Sequence, residues 1–182
     1  MRAVTVLGPE STGKTALAAE LAATLGAALS GEAARDYALG VGRALGVEDV
    51  EPIARAQVAL EDAAAVRAAG AGRSLVVRDT DLVSTATYAA WYYGLRAAWL
   101  DAMVAERRAA LYLLCDTDLA WRPEAPRDPA MRDAAVRDAL RGEFVRALER
   151  YGCEWAWVRG HGARRLACAM RHLRTAGFDH GN

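Results

Sequence analysis

Lysine is all but missing from this 182-residue chain: among 23 basic residues, Lys14 alone is not an arginine. Asparagine, glutamine and isoleucine also occur only once each, at Asn182, Gln57 and Ile53. Such usage points to a G+C-rich coding background that exchanges lysine for arginine wherever the exchange is tolerated. A lysine that survives marks a position needing a compact ammonium on a flexible stem, a task a planar guanidinium does badly. Cysteine is scarce too. Cys115, Cys153 and Cys168 are too few and too scattered for a disulfide framework or a metal cluster. Cys115 and Cys153 lie in apolar runs and are expected to be small core residues.

Net charge is also absent, since 23 acidic residues balance the 23 basic ones. No general basic field exists to attract nucleic acid, and no nucleic-acid partner is expected. Long hydrophobic runs are lacking. The N-terminal run from Ala3 to Leu7 is too short for a signal sequence or a membrane span, so no membrane association is expected and the cytoplasm is the default compartment. With 53% hydrophobic and 25% charged residues, the composition is that of a soluble globular protein. The length suits a single domain over 1–182.

Against that background one motif stands out, Gly8-Pro9-Glu10-Ser11-Thr12-Gly13-Lys14-Thr15. This is the pattern of a phosphate-binding loop. Gly8 and Gly13 allow the backbone to wrap close around phosphate, so the N–H groups from Glu10 through Thr12 onward point inward as an anion nest. The following helix adds its positive end. Lys14 is expected to reach the β- and γ-phosphate oxygens of a nucleoside triphosphate, and the Thr15 hydroxyl to coordinate Mg2+. Chance would put the lone lysine here about once in 23 tries, so its placement argues for a working site.

Hydrophobic spacing predicts five short apolar strands, at 3–7, 27–30, 75–77, 110–115 and 155–158. Helices are expected at 14–25, 33–45, 52–69, 83–93, 97–108, 129–150 and 163–175. Strands alternating with helices imply a three-layer α/β fold with a mostly parallel sheet covered on both faces. The sequence 116–132, rich in proline, arginine and acid, reads as an arginine-rich lid. Ligands of such sheets gather beyond the carboxyl ends of the strands, where the phosphate loop, Glu32 and Asp79 all fall.

Each of these residues has a plain structural alternative. Asp79 suits a carboxylate near magnesium, directly or through water, but an aspartate here also suits a helix N-cap. Asp81 is open between a site role and capping the helix near Val83. Glu32 could accept a proton from a substrate hydroxyl attacking the γ-phosphate, or be a solvent-facing turn residue. Arg122, Arg127 and Arg132 could close over a transferred phosphate or be solvated surface arginines. The aromatics Tyr88, Trp91, Tyr92 and Tyr93 fit a core or a dimer interface, which leaves room for a homodimer. Gln57 could orient a substrate or lie exposed.

Taken together, the chain resembles the ribosylnicotinamide kinase domain of the bacterial bifunctional NAD-biosynthesis and regulator proteins, over about residues 3–175. The loop at 8–15, Glu32-Ala33-Ala34-Arg35-Asp36-Tyr37, Gln57 with Asp62, Asp79-Thr80-Asp81, and Trp121 to Arg127 match its segments in order. The resemblance implies a P-loop fold of the nucleoside and nucleotide kinase type, using ATP and Mg2+. It implies transfer of the γ-phosphate to the 5′-hydroxyl of nicotinamide riboside, a small nucleoside-like partner. It makes Glu32 the base, Asp79 the magnesium-side acid, and Arg122 and Arg127 the lid arginines. Arg35, Gln57 and Asp81 join the substrate side, and an aromatic wall from Tyr37, Tyr88 or Trp91 would suit the cationic pyridinium ring. Pro123-Glu124-Ala125-Pro126-Arg127 stands where the family shows an acid followed by glycine, and its two prolines predict a stiffer lid. The adenylyltransferase and DNA-binding regions are not in the sequence, so a stand-alone kinase-like unit without DNA regulation is expected. A nucleotide-switched ATPase acting through a protein partner remains the alternative. Guanine recognition through Asn-Lys-x-Asp is excluded, because the only lysine is Lys14 and the only asparagine Asn182.

Overall fold

Every residue of the central strand β1 (Arg2–Leu7) after its first is buried, and its side chains alternate between two cores. Val4 and Val6 enter one core while Ala3 and Leu7 enter the other, as a strand covered on both faces requires. The computed structural model describes residues 1–122 and 128–178. Around β1 lie β2 (Ala28–Ser30), β3 (Leu75–Asp79), β4 (Leu111–Cys115) and β5 (Trp155–Val158), in the order β2-β3-β1-β4-β5. All four pairings are parallel. Strand order reverses direction at β1, which opens a crevice beyond its carboxyl end.

Among the described residues, seven α-helices accompany the strands, six between them and one after the last: α1 (Lys14–Leu25), α2 (Ala33–Val41), α3 (Val50–Gly70), α4 (Leu82–Tyr93), α5 (Ala98–Arg107), α6 (Ala134–Arg150) and α7 (Ala163–Thr175). Leu17 and Leu21 of α1 and Leu173 of α7 cover one face with Val77 and Leu113. Leu82, Leu100, Phe144 and Leu148 from α4, α5 and α6 cover the other with Tyr112 and Leu114. Cys115 is buried and Cys153 packs against the core, in keeping with their apolar surroundings. None of the described helices is long and apolar enough to cross a membrane.

Two boundaries differ from expectation. The helix predicted over 33–45 stops at Val41, because Gly42 adopts a left-handed conformation (φ +63°) and caps it. The chain from there to Asp49 becomes a loop with a short 3-10 turn, held by the Asp49 carboxylate. The helix predicted over 129–150 starts at Ala134, because Asp133 caps it by accepting from Ala135 N at 2.8 Å. Pro129–Arg132 before it form a separate 3-10 turn, capped by Asp128.

Candidate functional site

The phosphate loop is closed by its own side chains. Pro9 O accepts hydrogen bonds from Thr12 Oγ1 at 2.7 Å and Lys14 Nζ at 3.0 Å. Gly8 has φ +140°, and a Cβ there would lie 2.8 Å from the Cys115 carbonyl oxygen, so only glycine lets the loop pass over β4. At the start of α1 no side chain caps the helix and its first turn holds no acid. Its positive end is thus left for an anionic ligand. From below, Arg165 of α7 donates to Thr12 O at 2.7 Å and to Asp116 O at 3.2 Å, while its other nitrogen reaches Asp118 Oδ1 at 2.7 Å. This brace draws on a residue 153 positions from Thr12, and local sequence carries no sign of it.

Backbone strain collects in the same place. Among the described residues, the two non-glycine residues with positive φ are Ser11 (+59°) in the loop and Thr80 (+67°) directly after Asp79. Such conformations cost energy and persist where the surroundings enforce them, commonly at functional sites.

Asp79 ends β3 opposite Val6 of β1, buried beside the loop. Burial pushes its carboxyl above the usual range, while the Thr15 hydroxyl and Lys14 ammonium pull it back down. Its Oδ1 is buried without a hydrogen-bond partner. An orphaned oxygen next to the Thr15 hydroxyl and the phosphate loop fits Mg2+ held between protein and nucleotide, since that ion keeps few protein ligands and takes the rest from phosphates and water. The described residues contain no cluster of three His, Cys, Asp or Glu side chains able to hold a metal unaided.

Glu32 sits at the N-cap of α2, with its Oε2 3.2 Å from Arg35 Nη2. Both line a cavity of about 850 Å³, together with Glu10 to Thr15, Gln57, Thr80, Ser84, Tyr88 and Asp128. Gln57 is buried, and its amide oxygen accepts from Ala33 N at 3.0 Å. Tyr88 and Tyr92 stack at 5.9 Å with ring planes 9° apart, and both line the cavity. Burial, with Glu10 and Glu32 nearby, holds the Tyr88 hydroxyl well above its ordinary range.

The foot of the expected lid contacts the loop. Ser11 Oγ accepts from Arg122 N at 3.1 Å, and Glu10 Oε2 accepts from Asp128 N at 3.1 Å. Arg122 thereby lies beside the loop, and Arg127 and the two lid prolines fall outside the described residues.

Three residues expected on the substrate side stand elsewhere. Asp81 is buried under α4, accepting from Thr5 Oγ1 at 3.1 Å and Val83 N at 2.9 Å, so it caps that helix from the core. Tyr37 is absent from the cavity wall and donates to Asp49 Oδ1 at 3.0 Å. Trp91 packs against the core instead of the cavity. Conversely, Tyr92 and Tyr93, which fit a core or dimer interface by sequence, line the cavity, as does Asp128, which no motif singles out. The spacing of Tyr92 four residues after Tyr88 is the available signal.

A family described as an AAA domain matches residues 3–165, most of the chain. The chain belongs to this AAA-domain family. A NadR protein solved in complex with NR superposes with a TM-score of 0.78 at 22% identity, covering 100% of this chain and 51% of that one. NadR solved with NAD and AMP-PNP gives 0.75 at 22% identity, with the same coverages. Thymidylate kinase from Ehrlichia chaffeensis gives 0.68 at 13% identity, covering 96% of this chain and 97% of that one. The AAA-domain chain thus spans about half the length of the NadR proteins, and it has the fold of P-loop kinases. No curated protein matches it by sequence.

Proposed function

We propose that this AAA-domain protein is an ATP-dependent kinase moving the γ-phosphate to the hydroxyl of a nucleoside-like acceptor, with nicotinamide riboside the leading one. The observation that carries this reading is the cavity of about 850 Å³, in which the phosphate loop, Glu32 and the Tyr88–Tyr92 stack share one space. On this reading donor, base and acceptor wall face one half-open cavity.

In this mechanism the acceptor 5′-oxygen forms a bond to the γ-phosphorus as the bond to the β,γ-bridging oxygen of ATP breaks. Glu32 takes the hydroxyl proton, and ADP leaves. Lys14 and the loop amides hold the phosphates and spread the charge that develops on the transferred group. Thr15 and Asp79 would hold Mg2+, which when bound neutralises charge on the β- and γ-phosphates. Glu10, Glu32 and Asp128 supply acids around the stacked tyrosines. Negative charge and an aromatic face together favour a cationic ring, as a pyridinium nucleoside offers. The NadR protein solved with NR supports the same choice of acceptor.

An ATP-consumption screen against nicotinamide riboside, ribonucleosides and deoxynucleosides tests the proposal. ADP formation that depends on nicotinamide riboside is the expected result. Slow hydrolysis indifferent to every acceptor would overturn the kinase reading in favour of a nucleotide switch.

A further inference from the structure

We infer that Gln57 is a positioning residue for Glu32, gripping the backbone on both sides of that glutamate so that its carboxylate stays aimed into the cavity. The inference rests on the reading of Glu32 as the base. Gln57 Oε1 accepts from Ala33 N at 3.0 Å, and its Nε2 donates to Gly31 O at 3.3 Å. These peptide groups directly follow and precede Glu32.

A helix start leaves backbone N–H groups without intrahelical partners, and the N-cap side chain commonly satisfies one. At α2 the N-cap is Glu32, and its side chain makes no such bond. The amide of Gln57, reaching over from α3, serves the helix terminus instead. A self-capping residue would have turned its oxygen back to the helix. Glu32 is relieved of that role, and its carboxylate is left to pair with Arg35 and face the cavity.

Gln57 is itself fixed. It is 2% exposed, and its Nε2 lies 3.5 Å from both Thr80 O and Glu61 Oε1. Glu61 is clamped in turn by Arg78 at 3.2 Å and Arg107 at 3.4 Å. The contact to Thr80 meets the strained residue beside Asp79, so one amide ties together the two carboxylate-bearing strand ends.

Two measurements test this. Amide exchange on Gln57→Leu, recorded without acceptor, should show Ala33 losing protection by about 10-fold or more, while Val77 and Leu113 in the sheet stay protected. Unchanged Ala33 protection would overturn the inference, whatever the acceptor proves to be. If Gln57→Leu does not fold, Gln57→Glu takes its place, since it keeps an acceptor for Ala33 N and loses the donor to Gly31 O. Ala33 should then stay protected while kcat falls, and an unaltered kcat would contradict the grip. The second measurement is a kinetic cycle on whichever acceptor the enzyme phosphorylates. Gln57→Leu should lower kcat by about 10–100-fold in the wild-type background but by less than about 3-fold beside Glu32→Gln. Equal losses in both backgrounds would mark a general structural role. A raised acceptor KM with kcat unchanged would mean direct substrate contact, and either result would overturn the positioning role.

Discussion

The Tyr92 hydroxyl donates to Asp128 Oδ2 at 2.9 Å, and the backbone N–H of Asp128 donates to Glu10 in the phosphate loop. The aromatic wall of the cavity is thereby tied to the foot of the lid and to the loop. Tyr92→Phe keeps the ring stack and removes this tie. A hydrogen bond to a charged group is worth about 1.5–3 kcal/mol at most, and less at a half-open site. The acceptor KM should therefore rise by about 3–10-fold, with the Kd for ATP unchanged, when initial rates are measured at saturating ATP.

Asp49 anchors the loop between α2 and α3. Its carboxylate accepts from both terminal nitrogens of Arg43, from Gly46 N and from the Tyr37 hydroxyl. The Arg43 hydrogen bonds, with help from Gly46 N, hold its carboxyl well below the usual range. A carboxyl depressed in the folded state contributes stability that is present above its unfolded pKa, about 4, and is lost as pH falls through the folded value. Asp49→Asn should lower Tm at pH 7, and the gap from wild type should shrink as pH drops below about 4. Thermal melts across that range check it.

Asp79→Asn should raise the Mg2+ concentration needed for half-maximal turnover by about 10–100-fold, because it replaces the orphaned carboxylate oxygen with a neutral one. Magnesium titration of the rate at fixed ATP measures it. An unchanged requirement would remove Asp79 from the metal side.

Asp81→Ala should act on stability and not on the site. It strips a buried partner from Thr5, Val83 N and Arg78, the last 3.8 Å away. Removing one member of a buried charged set costs about 3 kcal/mol or more. Denaturant unfolding should show that loss, while the KM values of the folded fraction stay within about twofold.

The parts of this molecule legible in the sequence are the local ones. The phosphate loop is written in eight consecutive residues, and the central strands show as apolar runs because both of their faces are buried. Glu32 and Asp79 are marked by their places at strand ends. Expectation and structure part where side chains reach across the fold. Trp91 and Tyr92 are neighbours on α4, and helical spacing alone does not tell which of two adjacent residues turns to the core. Asp81 follows Asp79 by two residues, yet the turn at Thr80 sends it under the sheet to Thr5. Gln57 is conspicuous in the sequence as the sole glutamine, but its bond to Ala33, 24 residues away, exists only once α3 packs on α2.

Glu32 directing phosphate from ATP to a nucleoside hydroxyl, in one shared cavity, is the central claim. Transfer of γ-labelled phosphate from ATP to nicotinamide riboside, followed for wild type and Glu32→Gln at saturating ATP and Mg2+, tests it most directly. Labelled mononucleotide is expected from wild type, and a rate about 10²–10⁴-fold lower from Glu32→Gln, with ATP binding retained. Label released only as inorganic phosphate, at the same rate in both proteins and with or without nicotinamide riboside, would contradict it.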